Sequence, residues 1–163
     1  VGLANIGTEK TKGGPLQLEA YGLMEASSYH FIGNVEARDV PFGACDVLVA
    51  DGFTGNMLLK MYEGVAGAMM ANIKGIFKQN AITKLSALMI KNGLMDFKKR
   101  MDYTEFGGAP LLGISKPVIK AHGSSDAYAI RSAVRQGAQF ASSGIIDDIT
   151  QNIDKMRIEQ KAE

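Results

Sequence analysis

Residues 46–56, Asp46-Val47-Leu48-Val49-Ala50-Asp51-Gly52-Phe53-Thr54-Gly55-Asn56, decide the fold class. Val47 to Ala50 is apolar at successive positions, the pattern of a central parallel strand covered on both faces. The run from Asp46 to Ala50 stops at a glycine-rich turn, and a long helical pattern follows. Strand, turn and helix in that order form the βα unit of a parallel sheet. Val1 to Ile6 reads as a second strand, ending at the loop Gly7-Thr8-Glu9-Lys10-Thr11-Lys12-Gly13-Gly14. Pro15 then suits the first turn of a helix running to about Ala26, with Leu16, Leu23 and Met24 on one stripe. His122-Gly123-Ser124-Ser125-Asp126 is another strand-to-helix turn, and its helix runs to about Ser142. His30 to Gly33 is a further strand candidate. Pro110 to Ile114 and Pro117 to Ala121 read as short strands around a turn at Ser115-Lys116. Met57 to about Arg100 is helical, with breaks near Gln79-Asn80 and Asn92-Gly93. A last amphipathic helix puts Ile145, Ile149, Ile153 and Met156 on one stripe. The alternation predicts an α/β fold with a mostly parallel sheet.

The 163 residues fit one domain, and 46% apolar with 21% charged residues is ordinary for a globular protein. A net charge of +1 argues against a nucleic-acid partner. The single cysteine, Cys45, allows no internal disulfide, so a reducing, cytosolic compartment is expected. It precedes a core strand and has no basic neighbour, so it reads as a buried thiol. No apolar run approaches the ~20 residues of a spanning helix, and no signal-peptide pattern is present. An opening on Val1 that goes straight into a strand suggests a fragment or a processed product.

In open α/β sheets, ligands bind beyond the carboxyl ends of the strands. Residues 7–14, 51–56 and 122–126 fit that position. Glycine lets backbone approach a ligand, and a helix N-terminus offers unpaired N–H groups that bind anions. Together the three loops predict a phosphate site. Each alone also reads as ordinary turn and capping chemistry, with Ser124, Ser125 and Asp126 as N-cap types.

Six motifs in order make the pattern specific. They are Asn5-Ile6-Gly7-Thr8-Glu9, Phe31-Ile32-Gly33-Asn34-Val35-Glu36, Arg38-Asp39, Asp51 to Asn56, Phe106-Gly107-Gly108-Ala109-Pro110-Leu111-Leu112-Gly113, and Lys120-Ala121-His122-Gly123-Ser124-Ser125-Asp126. Over essentially its whole length the chain resembles the C-terminal half of the PlsX family of acyl-acyl-carrier-protein:phosphate acyltransferases. The resemblance implies transfer of a fatty acyl group from acyl carrier protein to inorganic phosphate. The acyl phosphate then feeds a downstream glycerol-3-phosphate acyltransferase of phospholipid synthesis. It also implies a three-layer α/β/α sandwich, similar to isocitrate and isopropylmalate dehydrogenases, with a protruding helical hairpin. A homodimer, peripheral membrane attachment from the cytoplasm, and no metal or organic cofactor are implied too. On this reading residues 1–163 are one α/β domain, with 57–103 as a helical hairpin within it. Family chains are about twice as long. Their loop usually continues Gly-Asn-Glu, where this chain has Gly13-Gly14-Pro15.

The reaction needs phosphate held against a thioester carbonyl, an oxyanion stabilised and a thiolate released. Positioning lowers such barriers by ~7–11 kcal/mol, and losing one oxyanion donor costs roughly 2.7–4 kcal/mol. Fixed donors therefore outweigh an acid–base pair. Lys12 is the first candidate for the cation, the resemblance placing a functional lysine in its loop. Lys10 competes with it, and either also reads as a solvated loop lysine. Asn56 is an oxyanion donor or a helix cap. His122 protonates the thiolate, binds phosphate, or is a hydrogen-bonded strand-end histidine. Gly7, Thr8, Gly52, Thr54, Gly55, Gly123, Ser124 and Ser125 complete the candidate phosphate or substrate set. His30 reads as structural, and Glu36, Arg38 and Asp39 as a site cluster or a surface salt bridge.

Between 74 and 100, seven basic residues face one acid, Asp96, a local net charge of +6. Such an amphipathic hairpin attracts acidic acyl carrier protein, lies on an anionic membrane, or forms a dimer with a solvated lysine face. Ile82, Leu85, Leu88, Met89 and Leu94 are the expected lipid-facing set. The rival readings are a phosphotransacetylase-like enzyme using acyl-coenzyme A and a non-catalytic dimerising fragment. A dehydrogenase ranks below both, because the chain lacks a G-x-G-x-x-G fingerprint and an obvious paired-aspartate metal site.

Overall fold

The computed structural model describes residues 1–101 and 107–156. Phe106, the end of the expected 57–103 hairpin and the side chain of Met156 lie outside the described residues. The chain divides into two compact units, Val1–Ile76 and Phe77–Glu163.

The first unit is built on β1 (Gly2–Asn5), α1 (Pro15–Glu25), β2 (Asn34–Glu36), β3 (Leu48–Val49) and α2 (Gly52–Phe77). The strands form a parallel sheet in the order β2-β1-β3, pairing Leu3 with Asn34 and with Val49. The core is small: Leu3, Ala4, Met24, Val35 and Ala66 are buried. Of the expected α1 stripe only Met24 is buried, whereas Leu16 and Leu23 are exposed.

Two expected strands move. The second starts at Asn34 rather than His30. Gly33 has φ +94°, a left-handed turn that interrupts the extended run, although Ile32 N still donates to Val1 O at 3.0 Å. His30 takes part only through its carbonyl, which accepts from the Val1 ammonium at 2.9 Å. The third strand shortens to Leu48–Val49. It is not central: among the described residues it is an edge, with β1 in the middle. Val47 and Val49 are correspondingly exposed. Cys45 is half-buried rather than buried.

The second unit holds α3 (Ala81–Met89), α4 (Lys91–Met101), β4 (Gly108–Pro110), β5 (Ile119–Ala121), α5 (Ala127–Ser142) and α6 (Ile145–Asn152), followed by a 3-10 turn at Ile153–Met156. Asn80 caps α3, its side chain accepting from Thr83 N at 2.9 Å while Thr83 Oγ1 accepts from Asn80 N at 3.1 Å. This reciprocal cap makes the expected break near Gln79-Asn80. The second break falls at Ile90 instead of Asn92-Gly93. Those two residues occupy the first turn of α4, where N–H groups have no intrahelical acceptor and weak helix formers cost little. On the last helix, Ile149 is half-buried while Ile145 and Ile153 are exposed.

The expected pair of strands near 110–121 is an antiparallel hairpin that begins earlier, Gly108 pairing with Ala121 and Pro110 with Ile119. Gly113, at φ +78°, ends the extended run. The hairpin lies on α5, where Ala129, Ser132, Ala133 and Phe140 are buried. Gly107 makes the contact: a Cβ there would stand 2.2 Å from Ala133 N, at φ +78°. Gly43 has a similar φ of +76° with nothing within 4 Å. Gly107→Ala should therefore destabilise the second unit by about 3 kcal/mol through strain plus overpacking. Gly43→Ala should cost only about 1 kcal/mol from strain alone. Urea unfolding of both variants checks the difference.

Candidate functional site

In the first unit, the loop after β1 and the start of α2 meet at the carboxyl end of the sheet. Ala4, Asn5, Ile6, Gly13, Gly14, Gln17, Ala37, Thr54 and Leu58 line a cleft of about 300 Å³ between them. An apolar groove of about 550 Å³ shares Ala37 and Leu58 with the cleft and continues past Val40, Leu48, Gly55 and Leu59 to Tyr62.

The loop is moulded by side-chain amides. Asn5 Nδ2 donates to Lys12 O and to Asn34 Oδ1, both at 3.0 Å. Asn34 Nδ2 donates to Glu9 O at 2.8 Å. Gly7 is buried, and a Cβ there would meet Glu9 Oε2 at 2.8 Å and Lys12 Cγ at 3.1 Å. Its hydrogen side chain makes room for the lysine stem. Thr8 is exposed at the loop tip.

The two lysines separate. Lys10 pairs with Glu25, and its Nζ stands 5.7 Å from the Tyr21 ring centre. The hydrogen bond and charge of Glu25 raise its pKa above the ordinary 10.5. Among the described residues Lys12 reaches only Glu9 Oε1, at 4.0 Å, and its side chain is about half exposed. Lys10 is thus tied to α1, while Lys12 has a loose partner.

Residues 51–56 are not a loop, because α2 begins at Gly52. Asp51 caps it, its carboxylate accepting from Thr54 N at 2.8 Å and Thr54 Oγ1 at 2.6 Å. The anion at this helix end is therefore the protein's own aspartate. Gly55 N is spent on Asp51 O at 2.8 Å. Asn56 is exposed in the first turn and is not the cap; among the described residues its amide has no hydrogen-bond partner. Thr54 lines the cleft and Gly55 the groove, whereas Gly7, Thr8, Lys12, Gly52 and Asn56 line neither.

In the second unit, Asp126 caps α5, accepting from Ala129 N at 2.9 Å. Ser124 N donates to His122 Nδ1 at 3.2 Å, and Ser124 Oγ stands 2.7 Å from the same nitrogen. A backbone N–H can only donate, so the neutral imidazole carries its proton on Nε2. Gly123 and Ser124 are exposed and Ser125 is half-buried. Arg38, itself exposed, pairs with half-buried Glu36 at 2.5 Å and approaches half-buried Asp39 at 3.9 Å.

A family model described as fatty acid synthesis protein matches residues 1–148. The chain belongs to this family. It is 50% identical over 98% of its length to a phosphate acyltransferase of Lysinibacillus sphaericus, covering 48% of that protein. Identity is 49% to the phosphate acyltransferase of Thermoanaerobacter pseudethanolicus, over 96% of this chain and 47% of the relative. It is 48% to that of Clostridioides difficile, over 99% and 47%. The chain thus spans about half the length of the curated relatives it matches. Reasoning from sequence missed Asn5 and Asn34 as the anchors of the loop after β1. Both stood inside the quoted motifs, and a paired asparagine at two strand ends was the available signal.

The hydrogen bond from the Thr54 hydroxyl, then that from its backbone N–H, holds the Asp51 carboxyl below its ordinary 3.8. A lowered folded-state pKa stabilises the fold above the unfolded value and is lost as pH falls through the folded one. Acid should therefore fray the start of α2 below about pH 4. In Thr54→Ala the Asp51 pKa should rise toward 3.8, which carboxyl-carbon NMR titration measures.

Proposed function

We propose that the protein is a phosphate acyltransferase moving a fatty acyl group from acyl carrier protein to inorganic phosphate. The observation that carries the reading is the cleft after β1, bordered by the Lys12 loop and running into an apolar groove, in a chain of the fatty acid synthesis protein family. A small anion and a long apolar chain need such adjoining sites. A phosphate oxygen attacks the thioester carbonyl, a C–O bond forms, the C–S bond breaks, and the thiolate takes up a proton. Lys12 neutralises phosphate and the developing oxyanion. Its charge is needed because Asp51 already places a negative group at the start of α2. Thr54 and the amides of the loop orient the anion, Asn56 donates to the oxyanion, and the acyl tail lies in the groove from Ala37 to Tyr62. In the second unit, His122, Gly123, Ser124 and Ser125 form a polar turn assigned to substrate binding.

The same reading assigns residues 74–100 to the partners. A local charge of +6 suits the acidic carrier protein. Ile82, Leu85, Leu88 and Met89 are exposed and Leu94 is half-buried, an apolar set that supports peripheral contact with an anionic membrane or a second copy. Among the described residues no helix is long and apolar enough to cross a membrane. The whole protein would then be a homodimer of three-layer sandwiches delivering acyl phosphate to a glycerol-3-phosphate acyltransferase.

Incubating the full-length protein with phosphate and acyl carrier protein thioester, then trapping product with hydroxylamine, should yield acyl hydroxamate. Lys12→Ala should lower kcat/KM by about 100-fold. No acyl phosphate from either donor would sink the reading, and product from acyl-coenzyme A alone would favour the phosphotransacetylase-like alternative. In liposome flotation, Leu85→Glu with Leu88→Glu should abolish association with anionic vesicles; unchanged flotation would remove the membrane assignment.

A further inference from the structure

Asn5 ends β1 and Asn34 begins β2, on the same face of neighbouring parallel strands. Their amides join across that face and pin the loop at two carbonyls. Every orientation is set by a partner of fixed type. Asn5 Oδ1 accepts from Ile6 N at 2.8 Å, so its Nδ2 must be the group facing Lys12 O. Asn34 Nδ2 faces Glu9 O, so its Oδ1 must be the acceptor for Asn5. Glu9 O also accepts from Lys12 N at 3.1 Å, closing the turn that carries the lysine. Asn34 is only 7% exposed, a buried polar group satisfied wholly by this network. Gly13 completes it: at φ +97°, a Cβ there would stand 2.9 Å from Asn5 Oδ1 and 3.0 Å from its Nδ2. Glycine is what lets the amide reach the carbonyl of Lys12.

We propose that Asn5 and Asn34 are positioning residues for phosphate, setting where the Lys12 loop stands over the cleft without touching the reacting atoms. The inference rests on the phosphate reading of that loop. Aspartate is the sharp probe because it has the same shape but no donor. Asn5→Asp would set carboxylate oxygens against Lys12 O and Asn34 Oδ1, and Asn34→Asp would set one against Glu9 O. Both substitutions repel where the asparagines bond.

The test is steady-state kinetics of the full-length enzyme, varying phosphate and acyl donor separately, in Asn5→Asp, Asn34→Asp and Lys12→Ala. We expect the KM for phosphate to rise roughly tenfold or more in both aspartate variants. The KM for the acyl donor should change by no more than about twofold. A merely structural role would instead lower kcat through loss of folded enzyme, leaving both KM values in place, and that result overturns the proposal. Should the aspartate variants not fold, Asn5→Ala removes the donor without opposing charges. It should still raise the phosphate KM by about threefold, and an unchanged value overturns the proposal equally. Lys12→Ala separates the two levels. If it leaves phosphate kinetics intact, the phosphate reading falls and this inference with it. If it impairs them while the asparagine variants do not, only the positioning role falls.

Discussion

The amide of Asn5 ties the first unit together at the point where strand becomes loop. One side chain accepts from the next residue, donates to the carbonyl of Lys12 and donates to Asn34 on the neighbouring strand. A loop of eight residues rich in glycine has a large conformational entropy, and little apolar surface holds it. Hydrogen bonds to two of its carbonyls restrict it to one path. That path decides which lysine faces α1 and which folds back along its own loop. Lys10 follows the loop outward to Glu25, while Lys12 folds back over Gly7. The burial of Asn34 makes the network strict, since a buried amide left unbonded costs more than a bonded one contributes.

The start of α2 has a second constraint. A helix N-terminus attracts negative charge, and here the first claimant is Asp51. The motif from Asp51 to Asn56 thus spends the backbone donors of Thr54 and Gly55 on Asp51. What remains beside the cleft is side-chain chemistry, the methyl and oxygen of Thr54. The helix dipole at this end is already answered by the Asp51 carboxylate.

Much of this was legible in the sequence, for reasons that differ by element. Val1 to Ile6 and the helix from Pro15 were readable because an apolar run and a proline at the first turn are local signals. The third strand was misjudged as central because continuous apolarity reports how many faces are covered, not what covers them. Val47 and Val49 are exposed here, in a chain spanning about half of its relatives. The second strand slipped because Gly33 takes a left-handed turn that no hydropathy pattern encodes. The break expected at Asn92-Gly93 failed because poor helix formers are tolerated in a first turn.

The candidate site divides along the same line. Residue types at loop positions were readable, so Lys12, Thr54 and Gly55 entered the list. Hydrogen-bond geometry was not, so the capping role went to Asn56 rather than Asp51, and the structural asparagines went unremarked. Side-chain amides carry a donor and an acceptor whose use depends on neighbours brought close by the fold, 29 residues apart in the case of Asn5 and Asn34. Lysine advertises its charge from the sequence, whereas asparagine has a role only once its partners are placed. The residues that fix where a charge stands are therefore the ones that pattern reading passes over. Here one ends the strand that leads into the lysine's loop and the other begins the neighbouring strand.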